Sequence, residues 1–244
     1  MSTKAIISAS ILASIASTSA VAQHADLLLI MDLDGNLLTG QYDFDDGDVL
    51  NTNTRVFEGE FDDFGVTDEP GINAVSSGNV PIGFAALDGN NDVTFSANAF
   101  GIGAGVSNLW YWDGTGAVDF GVSSNTLTVS KAPSNIFSAT IDGSANDVAG
   151  FAIDTTSADG FLHKHIDFAL SDTGASAAGF YLWAMDFTVG NSTSESVYFV
   201  HGFGLEDEIA HEAAIDWVSS NLVPAPSGVL ALIGLPMLAA RRRR

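Results

Sequence analysis

The chain of 244 residues contains no cysteine, so it is held together without disulfides. That absence also excludes thiolate metal sites and cysteine nucleophiles. Basic residues are almost as scarce, with eight Lys and Arg against 30 Asp and Glu. Five of the eight, Lys4 and Arg241 to Arg244, stand at the two ends. The span between keeps Arg55, Lys131 and Lys164 against all 30 acidic residues, a formal charge of −27. Such a body repels nucleic acid and anionic lipid headgroups and attracts cations. Catalytic signatures are missing too. There is no G-x-S-x-G elbow, no H-E-x-x-H pair and no phosphate-cradling glycine loop opening a helix. Gly101 to Gly105 is glycine-rich but has no basic residue beside it. No period of 20–50 residues repeats, which excludes a solenoid. The reading is a non-enzymatic protein.

What fills the chain is the vocabulary of short strands and turns: 25 glycines, with Ser, Thr, Asn and Asp between apolar runs. Asp26 to Ile30 and Leu37 to Tyr42 flank Asp34-Gly35-Asn36 and predict a hairpin. Arg55 to Phe61, Ile82 to Leu87, Val93 to Phe100, Asn108 to Trp112, Thr126 to Ser130, Asn135 to Ile141, Phe151 to Asp154, His163 to Leu170 and Ser196 to Val200 predict further strands. Gly179 to Phe187 is nearly apolar throughout, as suits a central strand covered on both faces. The fold class expected is all-β, a β-sandwich of jelly-roll type. One C-terminal amphipathic helix, Leu205 to Asn221, closes the domain. Glu206, Asp207 and Glu208 crowd its first turn, and Ile209, Ala213 and Trp217 are its expected docking stripe.

Histidine supplies the best candidate chemistry. His163 and His165 stand at i and i+2, so on a strand both imidazoles leave one face and converge. Zinc takes three or four such N and O ligands. His24, before the first strand, and His201, at the end of a late one, are candidates to complete the site. His211 lies on the helix with Asp207 one turn earlier. Two other constellations read more simply. Asp32 to Asn36 and Asp43 to Asp48 carry oxygen ligands without the spacing of a calcium-binding loop, and read as turns. Trp110, Tyr111 and Trp112 offer either a sugar-stacking face or core, and core is favoured. An enzyme acting on polysaccharide ranks last.

The two ends read as addresses. Lys4, the apolar run Ala5 to Ala16 and the Ala20-Val21-Ala22 cleavage site predict a secretory signal peptide over residues 1–22. Residues 23–221 are then the extracytoplasmic domain. From 222 to 244 come three parts: Pro224-Ala225-Pro226-Ser227, the uncharged run Gly228 to Ala240, and Arg241, Arg242, Arg243 and Arg244. Prolines stop an arriving helix, the apolar run suits hydrocarbon, and arginines stay on the cytoplasmic side. The arrangement resembles the PEP-CTERM sorting signal of exported bacterial proteins, with Ala225 where that signal has Glu. The resemblance implies recognition by an exosortase after passage through the export machinery. It also implies retention in the membrane through the C-terminal transmembrane segment, then release to the cell surface or extracellular matrix. His163-x-His165-x-Asp167, Gly179 to Leu182, Tyr198 to Val200 and Trp217-Val218 resemble an all-β group of PEP-CTERM proteins, some linked to zinc-responsive regulation. The function expected is an exported surface protein, with extracytoplasmic zinc binding as the alternative.

Overall fold

A computed structural model describes residues 25–44 and 46–224. The expected signal peptide, His24, Ala225, Pro226, Ser227 and the basic cluster lie outside those residues. Among the described residues, no helix is long and apolar enough to cross a membrane.

Among the described residues the fold is all-β with one α-helix. The first sheet runs Leu162–Lys164, Ile72–Ala74, Asp26–Asp32, Leu37–Asp43, Asp48–Asn51, with Phe84–Ala85 also paired to Asp26–Asp32. Its heart is the predicted hairpin, in register from Asp26↔Tyr42 to Met31↔Leu37. The turn closes because the Asp32 carboxylate accepts hydrogen bonds from the Asp34 and Asn36 backbone N–H groups and from the Asn36 amide. Gly35 adopts φ +87°, a conformation that side chains disfavour. The period-2 alternation is clean: Leu27 and Leu29 enter the main core, while Leu28 and Ile30 pack on the opposite face with Val75.

The largest sheet is built on Gly179–Val189, which pairs with Trp110–Trp112, Asp92–Asn98 and Val197–Phe203. Both faces of this strand are covered, as its composition predicted. Tyr181, Trp183, Met185 and Phe187 enter the main core, and Phe180, Leu182 and Ala184 pack under the helix. A four-stranded sheet, Ser138–Ile141, Leu127–Ser130, Asp167–Leu170 and Val66–Thr67, contributes to the other side of that core. Phe168 lies 5.5 Å from Trp183 and 6.2 Å from Phe199, ring centre to ring centre. Each such ring, fully buried, contributes about 1.5–3 kcal/mol. Two ladders are parallel: Asp26–Asp32 with Ile72–Ala74, and Val56–Glu60 with Val197–Phe203.

Several expectations are corrected. The stretch His163 to Leu170 is not one strand: Leu162–Lys164 belongs to the first sheet and Asp167–Leu170 to the four-stranded one. Buried Ile166 marks the crossing between them. Ile82 to Leu87 supplies only Phe84–Ala85, and Ile82 is fully exposed. The helix spans Glu208–Asn221, because the Asp207 side chain accepts from the Ala210 N–H and caps it there. Its buried stripe is Ala210, Ala214 and Val218; of the expected stripe, Trp217 does dock, its ring 5.6 Å from that of Phe120, while Ala213 is exposed and Ile209 is 84 % exposed. Small residues at the contact let the helix lie close against the sheet, so side-chain volume overrode apolarity in choosing the face. Trp110 and Trp112 are core, their indole N–H groups donating to the Ser107 and Thr115 carbonyls. No sugar-stacking face remains on them.

Candidate metal centre

Three separated segments meet beside the Ile72–Ala74 strand. Leu162–Lys164 pairs antiparallel with it, placing His163 opposite Asn73, and Asp26–Asp32 pairs parallel on its other edge. The loop leading into it carries Asp68, Glu69 and Gly71. The His163 and His165 rings do come together, 5.1 Å apart and nearly perpendicular, although the strand ends at Lys164 and His165 lies just past it. The phenyl ring of Phe44 stacks on the His163 imidazole, 3.8 Å centre to centre and 15° from parallel.

The carboxylate was not anticipated. Asp26, buried at the head of its strand, accepts from the Gly71 N–H at 2.9 Å and from the Asn73 amide at 2.6 Å. Because Asn73 donates to Asp26, its carbonyl oxygen faces the His163 Nδ1 at 2.7 Å and accepts from it. The backbone carbonyl of Asp68 accepts from the His165 Nδ1 at 2.9 Å. Each imidazole therefore carries its proton on Nδ1 and leaves a lone pair on Nε2, the second-shell arrangement that prepares histidine for a metal. The backbone of Gly71 fits the same corner. A β-carbon there would stand 2.8 Å from the Asp26 Oδ1 and 2.8 Å from the His165 Nε2.

Two donor groups result. Asp26, His163 and His165 offer one ligand atom each within 4.8 Å of one another, and Asp68, Glu69 and His165 do the same. An ion at ordinary zinc distances would draw such atoms to about 3.3 Å, a small side-chain adjustment. The electrostatics ask for a cation. The Glu69 Oε2 contacts the same Gly71 N–H as Asp26 does, at 3.2 Å. Burial raises the Glu69 pKa, His165 opposes the rise, and Asp26 and Asp68 add to it. Burial and the neighbouring His165 lower the His163 pKa against the pull of Asp26. Asp26 thus stands beside His163, and Asp68 and Glu69 beside His165.

The other expected ligand within the described residues does not join this group. His201 is fully buried in the main core, its ring 4.8 Å from that of Trp183 and 5.5 Å from that of Phe61. It faces Gly59, where a β-carbon would come within 2.6 Å of its Cε1. His201 is a core side chain on a different sheet from His163. His24, two residues before Asp26, lies outside the described residues. Asp26, Asp68, Glu69 and Asn73 escaped the sequence reading because only the sheet order brings them to His163. No protein-family model matches this chain, and no curated protein or solved structure is similar to it.

Proposed function

We propose that this is an exported, non-catalytic protein whose β-sheet body binds a divalent transition-metal ion of the zinc class. The ligands are Asp26, His163 and His165, with water completing the shell. One observation carries the reading: two imidazoles and a buried carboxylate converge from separate segments, with both Nδ1 atoms already engaged. Mixed nitrogen and oxygen donors favour zinc over calcium or magnesium, which take oxygen alone. The PEP-CTERM-type end supports export and surface retention, with an exosortase and the export machinery as partners. The scaffold is read as a jelly-roll-type sandwich in which two parallel ladders replace antiparallel ones.

The test is calorimetric titration of the purified protein with zinc and with calcium. Zinc binds at micromolar or tighter concentration, calcium does not compete, and His163→Ala/His165→Ala abolishes the signal. Undiminished zinc affinity in that double variant refutes the site. Export is tested by comparing the mass of protein recovered at the cell surface with that of the precursor. An intact, cytosolic precursor refutes it.

A further inference from the structure

The two donor groups share one side chain, and a neutral imidazole has one lone pair. His165 can therefore serve the Asp26–His163 group or the Asp68–Glu69 group, not both together. The groups differ in depth. The side chains of Asp26 and His163 are 9 % and 27 % exposed, against 61 % and 41 % for Asp68 and Glu69, with His165 between them at 31 %. Nδ1 of His165 faces the outer carboxylates, 3.8 Å from Asp68 and 3.9 Å from Glu69. The Nε2 edge lies over Gly71 beside the Asp26 Oδ1. The ring thus stands between an outer and an inner donor set. Asp68 also lines a cleft of about 410 Å³ that carries Glu60, Asp62 and Asp167.

Resting on the metal-binding reading above, we propose that Asp68 and Glu69 form a hand-over station for the ion. A divalent cation drawn into the acidic cleft is first held by these two carboxylates. It passes from them to the inner set of Asp26, His163 and the His165 Nε2, and leaves by the same route. Prior capture by the outer carboxylates lowers the barrier in both directions, because the incoming or outgoing ion exchanges one ligand at a time instead of shedding all of them to water. The resting tautomer, with Nδ1 donating to the Asp68 carbonyl, directs the Nε2 lone pair to the inner set. The station is thus a transit position and the inner set the resting one. This makes the protein a fast exchanger of its ion, suited to giving it up to a competing chelator.

Stopped-flow measurement of zinc association, and of dissociation into excess chelator, tests the assignment on the full-length protein. Asp68→Asn/Glu69→Gln is compared with Asp119→Asn/Glu206→Gln, which removes two exposed carboxylates elsewhere. In the first variant association and dissociation both slow about tenfold, so that the dissociation constant moves less than threefold. The control changes neither rate more than twofold. Unchanged rates in the first variant overturn the proposal. So does slower association without slower dissociation, which marks simple steering or lost ligands. Failure of the unaltered protein to bind zinc instead removes the metal-binding reading itself, and the two failures are told apart by equilibrium binding.

Discussion

Gly71→Ala isolates the metal centre from the fold. The new methyl carbon would stand 2.8 Å from Asp26 Oδ1, His165 Cε1 and His165 Nε2, whereas ordinary contact begins at 3.4 Å. The aspartate and the imidazole must therefore separate by about 0.6 Å from their present positions, several times the ~0.2 Å tolerance of metal–ligand distances. Asp26 has little freedom to absorb this, because its carboxylate is held by the Asn73 amide as well as by the Gly71 N–H. The strain falls on the His165 ring, which turns away from the ion. Loss of ligand orientation on this scale lowers metal affinity about 10–100-fold, or roughly 1.4–2.8 kcal/mol. The metal-free fold changes little. Residue 71 does not require a positive φ, and restricting the unfolded chain returns ~0.4–1 kcal/mol against the local clash. The assay is a zinc titration paired with thermal melts in chelator and in excess zinc. Weakened binding with a metal-free melt close to that of the unaltered protein is expected. Zinc affinity equal to that of the unaltered protein would refute the placement of the ion between Asp26 and His165.

Three further outcomes follow from the same geometry. Asn73→Ala leaves the Asp26 carboxylate and the His163 Nδ1 without their shared partner, and zinc affinity measured by titration falls about 10–100-fold. His211 sits between the Glu60 carboxylate at 3.0 Å and the Val200 carbonyl at 3.0 Å. Burial pulls its pKa down, but those two acceptors, with Glu58 nearby, raise it on balance above the usual 6.5. A raised folded-state pKa stabilises the protein fully below the unfolded value, and the gain is lost as pH rises through the folded value. Denaturant melts of Glu60→Gln should therefore show a deficit of about 1 kcal/mol below pH 6, discounted for the half-exposed Glu60, that shrinks above neutrality. A deficit independent of pH counts against a charged His211. Val218→Ala should cost roughly 2 kcal/mol and Ile209→Ala less than about 0.5 kcal/mol in the same melts. The reverse order would restore the stripe read from sequence.

Local patterns were legible and long-range ones were not. The Asp26–Asp32 hairpin was readable because its turn residues and its alternation agree. Gly179–Val189 was readable because a strand apolar on both faces needs two covering layers. His163 and His165 were expected to meet through the period of a strand; they do meet, but the strand ends at Lys164 and the second ring reaches the site from the crossing beyond it. The helix face failed because apolarity marked Ile209 while close packing selected Ala210 and Ala214. His201 was misplaced since a histidine at a strand end looks the same whether it borders solvent or fills an aromatic box. Asp26 was missed as a candidate ligand because nothing local relates residue 26 to residues 68–73 or 163. That relation is created by a parallel ladder beside an antiparallel one.

The Val56–Glu60 strand has its partner in Val197–Phe203, which is synthesised some 140 residues later. A chain emerging amino end first cannot finish its largest sheet until nearly all of the body is out. Closing so long a loop is slow, and local contacts offer little reward beforehand. Until that moment the sheet lacks the strand that joins Val56–Glu60 to Gly179–Val189, so the body cannot set into its final shape.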